Sequence, residues 1–173
     1  KKVCVHGFIG KLADGSVASY QTLPWNHRGW HAGGSANNTH IGFEICEDNL
    51  SDANYFKAVY KEAVELCAYL CKTYGLTEKN IICHSEGAKK GIASNHGDVM
   101  HWFPKHGKSM DTFRADVKAL LEDFVDDDDM AEELYRGTDF LNTQIRVYSE
   151  QVKNGRRSGE THVEYRLMEY CNK

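Results

Sequence analysis

The chain has no basic excess: 21 Lys and Arg stand against 25 Asp and Glu, a formal charge of -4 at pH 7. Nucleic-acid binders displace phosphate counterions with clustered cations, so this balance argues against a nucleic-acid partner. No apolar run approaches the roughly 20 residues that span a bilayer, so no membrane partner is expected. The opening Lys1-Lys2-Val3-Cys4 is not followed by the apolar core of a signal peptide, which points to synthesis in the cytoplasm without export. The six cysteines (Cys4, Cys46, Cys67, Cys71, Cys83, Cys171) lack the even, loop-rich spacing of a disulfide scaffold and mostly lie in apolar stretches. Reduced, buried thiols are the expectation, with Cys67 and Cys71 filling one side of a helix. Internal repeats are also lacking.

The 173 residues, 41% hydrophobic and 27% charged, suffice for one globular domain with a core and a small appendage. Val3 to Ile9 reads as a buried strand, Ala13-Asp14-Gly15 as a turn, and Val17 to Leu23 as a second strand. A loop rich in Gly, Asn and aromatic residues runs from Pro24 to Thr39, and His40 to Cys46 reads as a third strand. Ser51 is the expected N-cap of a helix to Tyr74, whose apolar positions Phe56, Val59, Ala63, Cys67, Leu70 and Tyr74 recur every three or four residues before Gly75 stops it. Asn80 to Cys83 is expected as a short strand ending at His84, followed by an irregular loop through Asp98. Ser109 caps a further helix with Phe113, Val117, Leu120 and Phe124 on its buried face. This order predicts an α/β (α+β) domain, a central mixed sheet flanked by helices, over residues 1–125. Asp126 to Asp129 reads as a solvated acidic linker. Residues 130–173 form a small, mainly helical tail that must pack on the main domain or on a second copy, which would make a homo-oligomer.

Two features carry chemistry on their own. His84, at the end of its segment, and Asp98, after a loop, could converge on one zinc ion; a lone histidine at such a place is also a common structural residue. Glu44 is a carboxylate on an otherwise apolar strand, either paired structurally or kept for acid–base work.

The run Leu23-Pro24-Trp25-Asn26-His27-Arg28-Gly29-Trp30-His31-Ala32-Gly33, the run Asn38-Thr39-His40-Ile41-Gly42-Phe43-Glu44, the segment Cys83-His84-Ser85-Glu86-Gly87 and the stretch Ser94 to Phe103 together resemble the type-2 N-acetylmuramoyl-L-alanine amidases. That family includes phage endolysins and the animal peptidoglycan recognition proteins; the resemblance covers Val3 to about Leu121 and is nearest to prophage amidases of Gram-positive bacteria. It implies a zinc-dependent hydrolase of bacterial peptidoglycan that cuts the amide between N-acetylmuramic acid and L-alanine, made in the cytoplasm and acting on the wall after release. The alternative is a non-catalytic peptidoglycan-binding module of the same fold.

By the same resemblance His84 and Asp98 are Zn²⁺ ligands, Glu44 is the base, and His96 takes the place of an oxyanion-stabilising lysine. Trp30, His31, Asn38 and Trp102 line the substrate groove. The family's Asp-Pro-Gly turn is here Asp98-Val99-Met100. Its first zinc histidine lies on a strand upstream of the segment resembling Val3 to Ile9, so that strand is expected to be missing from this chain. His6 matches an additional histidine of relatives and reads as structural. The first ligand is left open between an absent upstream strand and His6, the remaining alternative being a site with fewer protein ligands. A cysteine hydrolase using Cys46 or Cys83 is disfavoured because a thiolate in an apolar strand is costly.

Overall fold

The computed structural model describes residues 3–123; the acidic linker and the tail lie outside the described residues. Three strands form one mixed sheet in the order β2-β1-β3. β1 (Gly7–Lys11) pairs antiparallel with β2 (Val17–Gln21), Gly7 opposite Gln21 and Lys11 opposite Val17. It pairs parallel with β3 (Phe43–Ile45), Gly7 opposite Phe43 and Ile9 opposite Ile45. The hairpin turn falls where Asp14 and Gly15 predict it. Asp14 Oδ1 accepts from the Ser16 N–H and hydroxyl at 2.9 and 2.7 Å, and Gly15 takes the left-handed φ of 88° that costs glycine little.

Because β2 ends and β3 begins beside Gly7, the whole connection 22–42 stays at one end of the sheet, crossing the entry to β1. A pair between Cys4 and Trp30 fastens it there. The strands are shorter than the sequence suggests: Val3 is 73% exposed, and residues 40–42 approach the sheet without joining the ladder.

α1 (Ala53–Tyr74) is capped by Asp52 rather than Ser51, its carboxylate accepting from the Asn54 and Tyr55 N–H groups at 2.9 and 3.0 Å. Gly75 ends it in the left-handed conformation, as expected of a C-terminal glycine. Its inner face carries Phe56, Val59, Ala63, Cys67 and Leu70 into the core. Phe56 meets Trp102 and Phe103 edge-on, with ring centroids 5.3 and 5.6 Å apart, and Tyr60 meets Phe113 of α3 (Met110–Asp123) at 5.4 Å. On α3, Ser109 Oγ accepts from Thr112 N–H as a cap, Phe113 and Val117 are buried, Leu120 is half-buried, and Phe124 lies outside the described residues.

The expected strand 80–83 and the all-loop segment after it are corrected. Glu78–Asn80 forms a 3₁₀ turn, and α2 (His84–Lys89) starts at His84. A strand needs a neighbouring ladder, and residues 81–83 find side chains instead: the Ile81 carbonyl accepts from Arg114 at 3.0 Å and the Cys83 N–H donates to Glu86 at 3.2 Å. Arg114 holds Glu86 bidentately, both N···O distances 3.0 Å, stapling α3 to α2. Among the described residues Cys4 and Cys46 are exposed, against expectation, while Cys67, Cys71 and Cys83 are buried and all five are free thiols. No helix of the described residues is long and apolar enough to cross a membrane.

Burial acts to raise the Glu86 pKa, but the Arg114 hydrogen bonds and the Cys83 N–H outweigh it and leave the pKa lowered. The stability this pair contributes is therefore complete above the unfolded carboxyl's pKa and lost as pH falls through the lower folded value. Arg114→Ala should cost about 2 kcal/mol at neutral pH, as expected for charge-assisted hydrogen bonds to a partly buried partner. That cost should shrink in acid; urea unfolding at several pH values measures it, and a pH-independent cost would mean that lost packing dominates.

Candidate active site

His6 organises the mouth of the site. Its ring is 1% exposed. Nδ1 lies 3.0 Å from the Gly42 N–H and must accept that proton, so Nε2 carries the hydrogen and donates to the His27 carbonyl at 2.8 Å. Both ring nitrogens are then committed. His6 is thus structural, as its position on the entry to β1 suggests, and no lone pair is left for a metal.

His31 sits beside it, ring centroids 5.6 Å apart, with Nε2 3.1 Å from the His40 carbonyl. Burial, and then the neighbouring imidazoles of His6, His40 and His84, press its pKa down, while the His40 carbonyl works the other way. Its ring rests on Gly42, where an added Cβ would lie 2.2 Å from Nδ1, and close to Gly29, where one would lie 2.7 Å from Cδ2. Buried Asn37 holds the same loop by accepting from the His31 and Ala32 N–H groups, each at 2.8 Å. The loop is sewn to the next segment by Ala36 N–H to the Ile92 carbonyl at 3.0 Å and Ser94 N–H to the Ala32 carbonyl at 2.8 Å.

Ser94 fixes His84. The Ser94 hydroxyl donates to the Ala32 carbonyl at 3.2 Å and lies 3.1 Å from His84 Nε2. A hydroxyl has one proton, so Nε2–H of His84 must be the donor and Nδ1 is the nitrogen left to accept or ligate. The His96 ring stands 4.8 Å from that of His84. The Ser85 N–H donates to the Asp98 carbonyl at 3.1 Å, setting Asp98 beside the start of α2.

Glu44 stands outward on β3. Partial burial raises its carboxyl pKa, and the charges of Asp98 and Glu47 raise it further, while His96 pulls it down. These causes draw Glu44, Glu47, Asp98 and His96 into one electrostatic neighbourhood. Glu44, His31, His84 and Asp98 line a cavity of about 540 Å³, whose walls turn apolar toward Cys67 and Phe113.

Trp30 is 46% exposed at the rim, with the Arg28 guanidinium 5.0 Å from its ring centre. Arg28 Nε donates to Asn38 Oδ1 at 2.6 Å. Trp102 is a correction: it is 1% exposed, stacked on Tyr55 and edge-on to Phe56, so it backs the cavity as core and offers no face to a polymer. Cys46, although exposed, has its thiol pKa pushed up by partial burial and then by Glu44, which disfavours a nucleophilic thiolate.

Zinc is the ion that the resemblance implies, and the donors present suit it: carboxylates and imidazoles at an open cleft. Among the described residues the three donor atoms that gather within 4.8 Å of one another belong to Glu47, Asp98 and His101. Of these three residues the sequence analysis singles out Asp98 alone. Glu47 lies an odd number of residues from Glu44, which in a continuing strand would put it on the other face; β3 stops at Ile45, freeing it to turn back. The i,i+3 spacing of Asp98 and His101 is the one signal that was available.

The seat of His31 on glycine is open to test. Gly42→Ala should displace the imidazole and lower stability by about 1–3 kcal/mol, as overpacking does. Chemical denaturation and the His31 ring resonances report both effects; an unmoved ring at unchanged stability would show that the loop yields freely.

No solved structure matches the chain. It is similar to a protein named "Probable N-acetylmuramoyl-L-alanine amidase" from Bacillus licheniformis, 33% identical over 87 residues, which is 50% of this chain and 22% of that one. It is also similar to N-acetylmuramoyl-L-alanine amidase XlyA of Bacillus subtilis (strain 168), 40% identical over 68 residues, 38% of this chain and 22% of that one. The matched segments thus span only 22% of the length of either relative. The family described as N-acetylmuramoyl-L-alanine amidase matches residues 1–101, a stretch that contains the sheet, α1, α2 and the clustered Glu44, His84, His96 and Asp98; the chain belongs to the N-acetylmuramoyl-L-alanine amidase family.

Proposed function

We propose that this chain is a zinc-dependent peptidoglycan hydrolase that cleaves the amide between N-acetylmuramic acid and the L-alanine of the stem peptide. The observation that carries the proposal is the cavity shared by Glu44, His84 and Asp98, with His96 against His84, in a chain of the amidase family. His84, through Nδ1, and Asp98 are the proposed zinc ligands. Zinc, when bound, supplies Lewis acidity to the scissile carbonyl and makes water a stronger acid.

The chain's own groups do the rest. Glu44, with its raised pKa, takes a proton from the attacking water and hands it to the departing amine of L-alanine. His96, exposed beside His84, donates an N–H to the oxyanion of the tetrahedral intermediate. Trp30, His31 and Asn38 form the rim along which the glycan and peptide lie. The proposed setting is a lysin made in the cytoplasm that reaches the wall once the membrane is breached.

Glu44→Gln should reduce turnover by about 10²–10⁴, the range for losing a general base, with wall binding retained. The same change carries a stability signature. The folded pKa of Glu44 is raised, so its ionisation costs stability as pH rises through the folded value. With chelator present, the glutamine variant should melt higher than wild type at neutral pH and equally in acid, below the unfolded pKa. Undiminished release of L-alanine-ended peptides would mean that another base operates.

His96→Ala should lower kcat by about 10²–10³, the usual effect of losing one oxyanion donor, with KM little changed. His96→Lys should restore part of it. Equal kcat for alanine and wild type on a defined muropeptide would reduce His96 to a bystander.

A further inference from the structure

We propose that Ser94 is a positioning residue of the zinc site: its hydroxyl fixes the His84 imidazole so that Nδ1, and not Nε2, is the nitrogen offered to the metal. This role rests on His84 being the zinc ligand proposed for the amidase. Ser94 Oγ lies 3.1 Å from His84 Nε2 and 3.2 Å from the Ala32 carbonyl oxygen. The single hydroxyl proton goes to that carbonyl, which leaves the oxygen to accept from Nε2–H.

The groups on both sides of this hydroxyl are themselves held. The Ser94 N–H donates to the same Ala32 carbonyl at 2.8 Å, and the Ala32 N–H donates to buried Asn37 at 2.8 Å. Gly33 leaves the space that the hydroxyl occupies, since a Cβ there would stand 2.6 Å from Ser94 Oγ. On the other side, His84 is the first residue of α2, which Arg114 ties down through Glu86. The backbone under His84 is thus fixed by one set of contacts, and Ser94 acts on the ring.

Metal binding needs a free lone pair on an imidazole held in one orientation. The two ring nitrogens face apart, so with Nε2 turned to Ser94 it is Nδ1 that is available to the cavity His84 shares with Glu44 and Asp98. An imidazole that donates its other N–H to an oxygen is fixed in tautomer and more basic, and losing such a partner weakens metal binding by about 10–100-fold. The acceptor here is tied to the loop that carries Trp30 and His31. The proposed substrate rim and the proposed metal ligand therefore share one hydrogen-bond chain.

Zn²⁺ binding by the full chain is measured by competition with a chromophoric chelator for wild type, Ser94→Ala and Ser94→Thr, with circular dichroism confirming the fold. Ser94→Ala keeps the backbone bond to Ala32 and removes only the hydroxyl, so it should weaken binding by about tenfold or more. Ser94→Thr keeps a hydroxyl and should stay within about threefold of wild type. Nitrogen-15 spectra of the histidine rings supply a readout that lost packing alone would not move. On zinc addition to wild type, the His84 metal shift should fall on Nδ1 while Nε2 stays protonated. In metal-free Ser94→Ala the Nε2 proton should exchange with solvent faster than in wild type.

Zinc on His84 Nε2, or a Ser94→Ala affinity equal to that of wild type, overturns the inference, as does a wild type that takes up no zinc. Hydrolysis of purified wall is scored separately. Zinc held on Nδ1 as expected in a protein that releases no stem peptide would sink the amidase proposal alone. An active amidase whose Ser94→Ala variant binds zinc like wild type would sink the role of Ser94 alone.

Discussion

The site depends on one buried imidazole. His6 accepts from the Gly42 N–H and donates to the His27 carbonyl, so a single side chain joins the entry to β1, the aromatic loop and the approach to β3. Leaving either backbone group unpaired in the interior would cost about 1–3 kcal/mol, so the loop that carries His31 and Trp30 is held in one arrangement. Gly42 completes the joint: it gives His6 its donor and, lacking a side chain, lets the His31 ring lie against the backbone. From this joint outward, Asn37 and Ser94 transmit order to His84 by way of backbone hydrogen bonds.

Electrostatics at the site runs against stability. Burial, and then the charges of Asp98 and Glu47, make the Glu44 carboxyl hold its proton more tightly than a solvated one would. A fold selected for stability alone would disperse these groups; keeping them together is what acid–base chemistry or cation binding requires. The aromatic core behind them, where Phe56, Trp102 and Phe103 interlock, supplies the rigid backing against which such crowding can be maintained.

Much of the fold was legible in the sequence because its signals are local. Asp14-Gly15 specifies a turn by its φ requirement, and the three-to-four spacing from Phe56 to Leu70 with Gly75 beyond specifies a helix and its end. The N-cap shifted by one residue, from Ser51 to Asp52, because both side chains can cap and only the chain's entry angle chooses between them. The segment 81–83 misled because its apolar, branched residues suit a strand, while strand formation depends on a neighbour that local sequence cannot supply. Arg114 and Glu86, distant in sequence, satisfied its backbone instead.

The site divides along the same line. The sequence by itself determined the chemical inventory: Glu44 on a short strand, His84 and Asp98 bracketing a glycine-bearing segment, His96 between them, and the motifs that mark the amidase family. Only the tertiary structure decided which of these groups meet. It buried Trp102 in the core, committed both nitrogens of His6 to backbone partners, and turned Glu47 and His101 toward Asp98. The reason is physical: residue type and spacing set what a side chain can do, whereas its partners, burial and free lone pairs are set by segments that come together only when the chain packs.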